Sequence, residues 1–296
     1  LPYQTFLERP QMGPYKSLAW YLTTRRFVKV MREIRRKFAS IEVDRLRAKP
    51  TVKITGEFYL QTVEGDPNYN IHRWLEAEGA EVYPAAITVW LDYLMRLAGQ
   101  EFEDHIGIDR NARLKLAGKR AGQALLRWTH DRMRRALGGA PRALPDQYEL
   151  RRLAAPYFNS RLNGGEGDML IGKALWAYHE RKAHMTCELS PYSCMPNTMS
   201  IGAMAQVRGK YPDLLYAPLE IKGDAEVHAL SRCQMILTEA KKRAQKEYEE
   251  VLEPTGKTAE QLKGREEPAM RRATYRVPRH GVAGTAANYA LHLAQC

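Results

Sequence analysis

The stretch Thr51-Val-Lys-Ile-Thr-Gly-Glu-Phe-Tyr59 decides the fold, because it is rich in β-branched residues and ends in polar loop residues, which predicts a first strand. Asp66-Pro67 then supplies an N-cap and a first-turn proline for a helix over 68–78, and Gly79 ends that helix. A second short strand is predicted over 80–83. A strand, a helix and a strand in this order form a βαβ unit, which requires a parallel sheet with a right-handed crossover.

Further helices and strands are predicted on both sides of this unit. A basic helix over 17–47 is expected to stop at Pro50, and the tail over 253–282 is expected to be irregular. The remaining predicted helices span 87–98, 109–137, 146–155, 167–182, 197–209, 225–250 and 282–294, and the remaining strands span 184–189 and 213–219. The predicted domains are an arm with the basic helix (1–50), an α/β half with a helical insertion (51–145) and a second α/β half with the tail (146–296).

Composition places the chain among soluble globular proteins. It has 296 residues, of which 44% are hydrophobic and 27% are charged. No apolar stretch approaches the roughly 20 residues that cross a bilayer, and no signal peptide opens the chain, so no membrane association is expected. Four cysteines are too few for a secreted disulfide framework. A reducing cytoplasm is therefore the predicted location.

The formal net charge of +12 is concentrated in two stretches, 25–37 and 110–135. Both also carry apolar residues at helical spacing, so they can be amphipathic helices with solvated basic faces. They could instead contact an acidic partner protein or a substrate that carries phosphate. Nucleic acid is not the expected partner, because aromatic residues do not interleave with the basic ones in a stacking pattern.

Three polar loops follow predicted strands, and ligands of open parallel sheets bind at that edge. They are Gly56–Tyr59 with Glu64–Asp66, then 187–194, then 220–226. Glu57, in the first loop, is the candidate catalytic residue. Acidic residues at helix N-termini are often simple caps, and that alternative stays open for Glu57.

Two cysteines are candidate metal ligands. Cys194 lies in a loop bracketed by prolines, before a predicted helix N-terminus that favours the thiolate form, which is the form that binds iron. Cys187 lies on an apolar strand and is either a further ligand or a buried, inert thiol. Two thiols cannot complete a four-iron cluster, so the chain either borrows ligands or uses the loop differently. Cys233 is expected to fill space in a helix.

A glycine-rich segment, Asn163-Gly-Gly-Glu-Gly-Asp168, precedes a predicted helix. Its backbone N–H groups could bind a phosphate, which makes Gly164, Gly165 and Gly167 candidate cofactor-binding residues. The segment lacks the Lys-Ser/Thr ending of a Walker motif. A flexible start to the helix is the alternative.

Several motifs resemble the 2-hydroxyacyl-CoA dehydratase superfamily, which includes benzoyl-CoA reductase subunits and double-cubane cluster proteins. The first motifs are Lys53-Ile-Thr-Gly-Glu-Phe-Tyr59, Asn68-Tyr-Asn-Ile and Leu75-Glu-Ala-Glu-Gly-Ala-Glu-Val82. The later ones are Ser193-Cys-Met-Pro-Asn-Thr-Met-Ser200, Tyr211-Pro and Lys222-Gly-Asp-Ala-Glu-Val-His228. They occur in the family's order over roughly residues 50–250, and the most similar branch is one found alone or fused to the ATP-dependent activase.

The resemblance implies two flavodoxin-like (Rossmannoid) parallel-sheet halves with a helical insertion. It also implies an iron–sulfur cluster, 4Fe-4S or double-cubane, to which Cys194 would contribute one ligand. The family's other ligands come from an upstream domain that this sequence does not contain, so the cluster would be incomplete unless another chain or domain supplies them. The implied partner is an activase that hydrolyses ATP and delivers an electron, and the implied acceptor is a CoA thioester or a similar substrate.

The predicted function is therefore an iron–sulfur component, or a fragment of one, in an ATP-dependent low-potential electron-transfer system of anaerobic metabolism. One alternative is a non-catalytic scaffold or maturation subunit that docks an activase or a partner subunit. The other is a phosphate- or nucleotide-binding module that uses Gly164–Gly167.

Overall fold

Four strands form one parallel sheet in the computed structural model, which describes residues 13–162 and 165–295. The order across this sheet is β2-β1-β3-β4. The strands are β1 (Thr51–Gly56), β2 (Glu81–Tyr83), β3 (Met185–Pro191) and β4 (Leu215–Ile221). The α/β class and the predicted βαβ unit are confirmed.

The two predicted halves do not form separate sheets. β1, from the first half, pairs with β3, from the second, over five residue pairs from Val52↔Met185 to Gly56↔Leu189. All six residues of β1 are buried, as expected for a central strand that is covered on both faces. Two-stranded sheets have little independent stability, whereas four strands with helices on both faces bury these apolar runs completely.

Helices make up most of the remaining described chain. They are α1 (Pro14–Thr23), α2 (Arg26–Phe38), α3 (Phe58–Thr62), α4 (Ile71–Ala77), α5 (Ile87–Asp104), α6 (Ala112–Ala136), α7 (Gln147–Ala154), α8 (Gly167–His179), α9 (Met195–Lys210), α10 (Glu226–Leu252), α11 (Ala259–Lys263) and α12 (Thr285–Gln295). Within residues 13–162 and 165–295, none of these helices has the length and apolar character needed to cross a membrane.

The prediction of one basic helix over 17–47 is wrong. The chain forms α1 and α2 instead, separated where Thr24 is extended with ψ of 139°. The Thr24 hydroxyl accepts a hydrogen bond from the Arg26 N–H (3.3 Å), which helps to start the second helix. That helix ends at Phe38, well before Pro50, so the proline does not set its length.

Two apolar cores cover the two faces of the sheet. Residues that alternate along a strand point to opposite faces, and Cys187 and Leu189 of β3 lie in a core with α4 and α10. Tyr216 of β4 lies in the other core, with α7, α8 and α9. Glu188 stands between Cys187 and Leu189, and it therefore points toward the α8 and α9 side.

The chain divides into two compact units, each made of segments that are distant in sequence. The first contains residues 13–44, Met95–Leu144 and Glu266–Arg276. The second contains Arg45–Leu94, Pro145–Arg265 and the chain from Val277 onward, and it carries the whole described sheet.

Candidate functional site

The carboxyl ends of β1, β3 and β4 lie at the same edge of the sheet, because the three strands are parallel and adjacent. The connections after β1 and β3 lead in opposite directions, to β2 and to β4, so the strand order reverses between β1 and β3. In open α/β sheets such a reversal opens the crevice where ligands bind. The Glu57 N–H donates to the Leu189 carbonyl across this boundary (2.9 Å).

Tyr69, which follows the first predicted loop, reaches the backbone of the third loop at this edge. The Tyr69 hydroxyl accepts a hydrogen bond from the Lys222 N–H (2.7 Å) and donates one to the Lys222 carbonyl. In the second loop, the Tyr192 N–H donates to the Ile221 carbonyl (3.1 Å), at the end of β4. The predicted convergence of the three loops is confirmed.

Cys194 is the residue that precedes α9, and its side chain is partly exposed. Its backbone carbonyl accepts hydrogen bonds from the Thr198 N–H and the Thr198 hydroxyl (both 2.9 Å), which hold the first turn of the helix. The position of the thiol at a helix N-terminus agrees with the sequence prediction.

The predicted preference for thiolate at Cys194 is wrong for the isolated chain. Burial raises the pKa of the Cys194 thiol, and the carboxylates of Glu166, Glu57 and Glu188 raise it further. The Asn197 N–H opposes these effects only in part. A negative environment of this kind favours a proton or a metal cation at the sulfur, because either of them offsets the nearby negative charge.

Glu57 has a structural role in addition to its place at the edge. Its Oε2 accepts a hydrogen bond from the Leu60 N–H (2.9 Å), which makes it the N-cap of α3. The alternative that Glu57 caps a helix N-terminus is therefore confirmed. Its carboxylate also acts on the pKa of Glu166 and Cys194, so it belongs to the charged surroundings of the thiol.

The glycine-rich segment lies beside Cys194, although Gly164 falls outside the described residues. Gly165 has φ of +71°, and a Cβ at this position would lie 2.4 Å from Cγ of Pro196, so the close approach of the two loops requires glycine. Gly167 is the first residue of α8 and faces Phe158, whose Cζ would lie 2.9 Å from a Cβ. Close packing against Pro196 and Phe158 therefore explains why glycine is needed at positions 165 and 167.

Glu166, between these glycines, makes this helix start a poor site for phosphate. Burial raises the pKa of its carboxyl, the charge of Lys173 lowers it in part, and Glu57 raises it. A segment that carries one carboxyl and faces another repels an anion, whereas it attracts a cation. The two carboxyls near Gly165 and Gly167 therefore disfavour a phosphate at this helix start.

A buried polar cluster, which sequence analysis missed, lies behind the edge on the α8 and α9 side. The Glu188 carboxylate accepts hydrogen bonds from Asn197 Nδ2 (2.9 Å), from the Ser200 hydroxyl and from the Tyr216 hydroxyl (2.8 Å). Burial raises the pKa of Glu188, and these bonds together with the charge of Lys173 lower it in part. Burial also lowers the pKa of Lys173, on α8, to about 8.

Two signals in the sequence could have revealed this cluster. Glu188 is an acidic residue inside the apolar run of a central strand, and Lys173 is a basic residue inside an apolar helix. Charged residues at such positions are rarely left without partners, since burying an isolated charge is costly.

Cys187 does not share the environment of Cys194. It is fully buried in the core with α10, where its thiol hydrogen-bonds with that of Cys233. This contact and burial raise the pKa of Cys187 well above its usual value. The prediction that Cys233 only fills space in a helix agrees with its position in this core.

In the part of the chain that the structure describes, no three His, Cys, Asp or Glu residues are grouped as a metal site. Comparison with family models, curated proteins and solved structures found no match. A function must therefore be inferred from the chemistry of the edge, which combines one accessible thiol with carboxylates and a buried lysine.

Proposed function

We propose that the chain contributes one thiolate, from Cys194, to an iron–sulfur site in an ATP-dependent low-potential electron-transfer system. The observation that carries this proposal is the partly exposed thiol at the strand-order reversal, where burial and the charges of nearby carboxylates disfavour a bare thiolate. Iron bound at the sulfur would remove that conflict, because the cation displaces the thiol proton.

The residues present fit one ligand of a cluster and not a complete set. Cys187 is a poor second ligand, because its thiol contacts Cys233 inside the core. We therefore assign the remaining ligands to another domain or another chain. This agrees with the sequence resemblance, which implies one cluster cysteine from this part of the family's proteins.

The charges around Cys194 suit a low reduction potential. A bound cluster would supply one-electron chemistry, and its potential depends on nearby charge, hydrogen bonding and solvent exposure. Glu57 and Glu166 would make addition of an electron less favourable and would so lower the potential. The proposed electron source is an ATP-hydrolysing activase, and the proposed acceptor is a CoA thioester or a similarly resistant substrate.

Anaerobic purification of the full-length tagged protein with its associated chains, followed by iron and sulfide analysis, tests this proposal. We expect stoichiometric iron and sulfide, and an electron paramagnetic resonance signal after reduction. Cys194→Ser should abolish both, and the control Cys233→Ala should keep both, because Cys233 lies in the core away from the edge.

Two results would contradict the proposal. The first is a colourless, iron-free complex in which the partner chains still bind, which would instead favour the scaffold alternative. The second is an iron content that Cys194→Ser leaves unchanged. Circular dichroism of the variants separates loss of the ligand from loss of the fold.

A further inference from the structure

A strongly basic cavity of about 990 Å³ lies within the first compact unit. It is formed by α2 and by the segment 269–276, with Gly138 at the end of α6. Its charged lining is Lys29, Arg32, Arg35, Arg36, Arg272 and Arg276, with Glu33 as the one acidic residue among the lining positions. Thr274 and Tyr275 add a hydroxyl and an aromatic ring.

A second cavity of about 760 Å³ in the same unit shares part of this lining. Lys29, Arg32 and Arg35 line both cavities, and Arg25, Arg132 and Arg135 add three further cations to the second. The acidic residue of the first cavity, Glu33, is paired with Lys37 at 3.7 Å. The shared wall of α2 is therefore strongly positive on both sides.

Lys29, Arg32 and Arg35 of this wall differ from neighbouring arginines whose guanidinium groups bind other parts of the protein. Arg132 donates to the carbonyls of Leu22 and Thr24, and Arg134 pairs with Asp131 at 2.9 Å. Within the described residues, the structure records no side-chain hydrogen bond or ion pair for Lys29, Arg32 or Arg35. Like charges held this close repel one another, and an anion between them would relieve that repulsion.

The cavity is assembled from distant parts of the sequence. The Val43 N–H donates to the Arg271 carbonyl and the Ala273 N–H donates to the Ile41 carbonyl (both 2.8 Å), so the chain after α2 holds the segment that carries Arg272 and Arg276. At the end of α6, Gly138 has φ of +81°, and a Cβ there would lie 2.6 Å from Nε of Arg35. Glycine at this turn therefore leaves room for the Arg35 guanidinium.

We propose that this cavity binds a small molecule that carries two or more adjacent phosphate groups. Arginine binds phosphate through paired N–H donors, and several arginines around a concavity can hold neighbouring phosphates at once. A volume of this size suits a nucleotide-sized ligand. Nucleic acid fits less well, because the charges converge on one concavity and its lining offers a single aromatic ring.

This proposal is independent of the iron–sulfur function, since every lining residue belongs to the unit that lacks Cys194. Inorganic triphosphate, ATP and coenzyme A are suitable probes, because all three carry adjacent phosphates and differ in what is attached to them. Binding is measured by calorimetry on the full-length protein at about 150 mM salt, which suppresses weak surface attraction.

The decisive comparison uses two double variants with the same change in net charge. Arg32→Gln with Arg35→Gln should weaken binding about 100-fold, because each lost arginine is expected to cost roughly tenfold through its charge-assisted hydrogen bonds. Arg110→Gln with Arg113→Gln is the control. Arg110 and Arg113 are exposed and line neither cavity, so we expect a change below about twofold.

Binding of any of the three probes with this selective loss supports the proposal, and the probe that binds most tightly identifies the source of the phosphates. Three outcomes overturn it. They are no binding of any probe at millimolar concentration, equal losses in the two double variants, and tight binding confined to RNA or DNA with a steep dependence on salt.

Discussion

At the scale of single residues, the two buried ionisable groups Lys173 and Glu188 are the most informative feature of the site. Both side chains are almost completely buried, and burial acts on each against its charged form. The three hydrogen bonds to Glu188 show how the fold accommodates a carboxylate beneath the edge. Burying two ionisable groups lowers stability relative to apolar side chains in their places, which is consistent with a functional use.

The lowered pKa of Lys173 leads to a pH-dependent stability difference. The folded protein releases this proton at about pH 8, whereas the unfolded chain holds it up to about pH 10.5. Between these values the unfolded state binds more protons, so this group makes the fold more stable as pH rises. Relative to Lys173→Met, the wild-type protein should gain up to roughly 3 kcal/mol across this window.

Urea unfolding of the wild-type protein and of Lys173→Met at pH 7, 8, 9 and 10 measures this difference. The control Lys242→Met replaces an exposed lysine of α10, and its stability should run parallel to that of the wild type. If the difference in free energy of unfolding between the wild type and Lys173→Met is also independent of pH, Lys173 does not titrate in this range.

At the scale of secondary-structure elements, the seam between β1 and β3 controls the candidate site. Gly56, the last residue of β1, has φ of +112°, and a Cβ there would lie 2.0 Å from the Leu189 carbonyl oxygen. Glycine at this position lets the chain turn into the Glu57 loop while the strands stay in register. The seam therefore fixes where Glu57 stands relative to β3.

We expect Gly56→Ala to lower the free energy of unfolding by more than about 2 kcal/mol, because both the positive φ and the backbone contact oppose a side chain. The matched control is Gly202→Ala in α9, where a Cβ meets no atom within 4 Å. Gly202→Ala should raise the free energy of unfolding by up to about 1 kcal/mol, since alanine is the better helix former. Chemical denaturation measures the free energy of unfolding of both variants. Equal changes in the two would contradict the close approach of Gly56 to the Leu189 backbone.

Element by element, the sequence predicts the fold well where a pattern is local. The βαβ unit over 51–83, the long helix after β4 and the loop position of Cys194 were all visible as patterns of residues. The pairing of β1 with β3 was not, because a parallel pairing across more than 100 residues leaves no local signal. The break at Thr24 was missed because both sides have strong helical character, and the carboxylates around Cys194 come together only through the tertiary fold.

At the scale of the whole molecule, the shared sheet has a consequence for dissection of the chain. A break between the predicted halves at residue 145 would separate β1 and β2 from β3 and β4. Each fragment would then expose the apolar faces that the joint sheet buries, and a two-stranded remnant is not stable alone.

We therefore expect the fragments 51–145 and 146–296 to lack cooperative unfolding when each is produced alone, as measured by circular dichroism and thermal denaturation. The control is the full chain cleaved at an engineered protease site after Ala140, in the connection between α6 and α7. It keeps both pairs of strands together and should retain a single cooperative transition. Independent folding of either fragment would show that the seam is dispensable.

The borders of the sheet also limit how this molecule can associate with others. One border strand, β2, has only three residues, and the other, β4, contains Pro218, which has no N–H to donate. Short strands and prolines deprive an incoming extended segment of a continuous row of backbone partners. Recruitment of another polypeptide by β-augmentation is thereby discouraged, and growth of intermolecular β-aggregates from the native state is discouraged for the same reason.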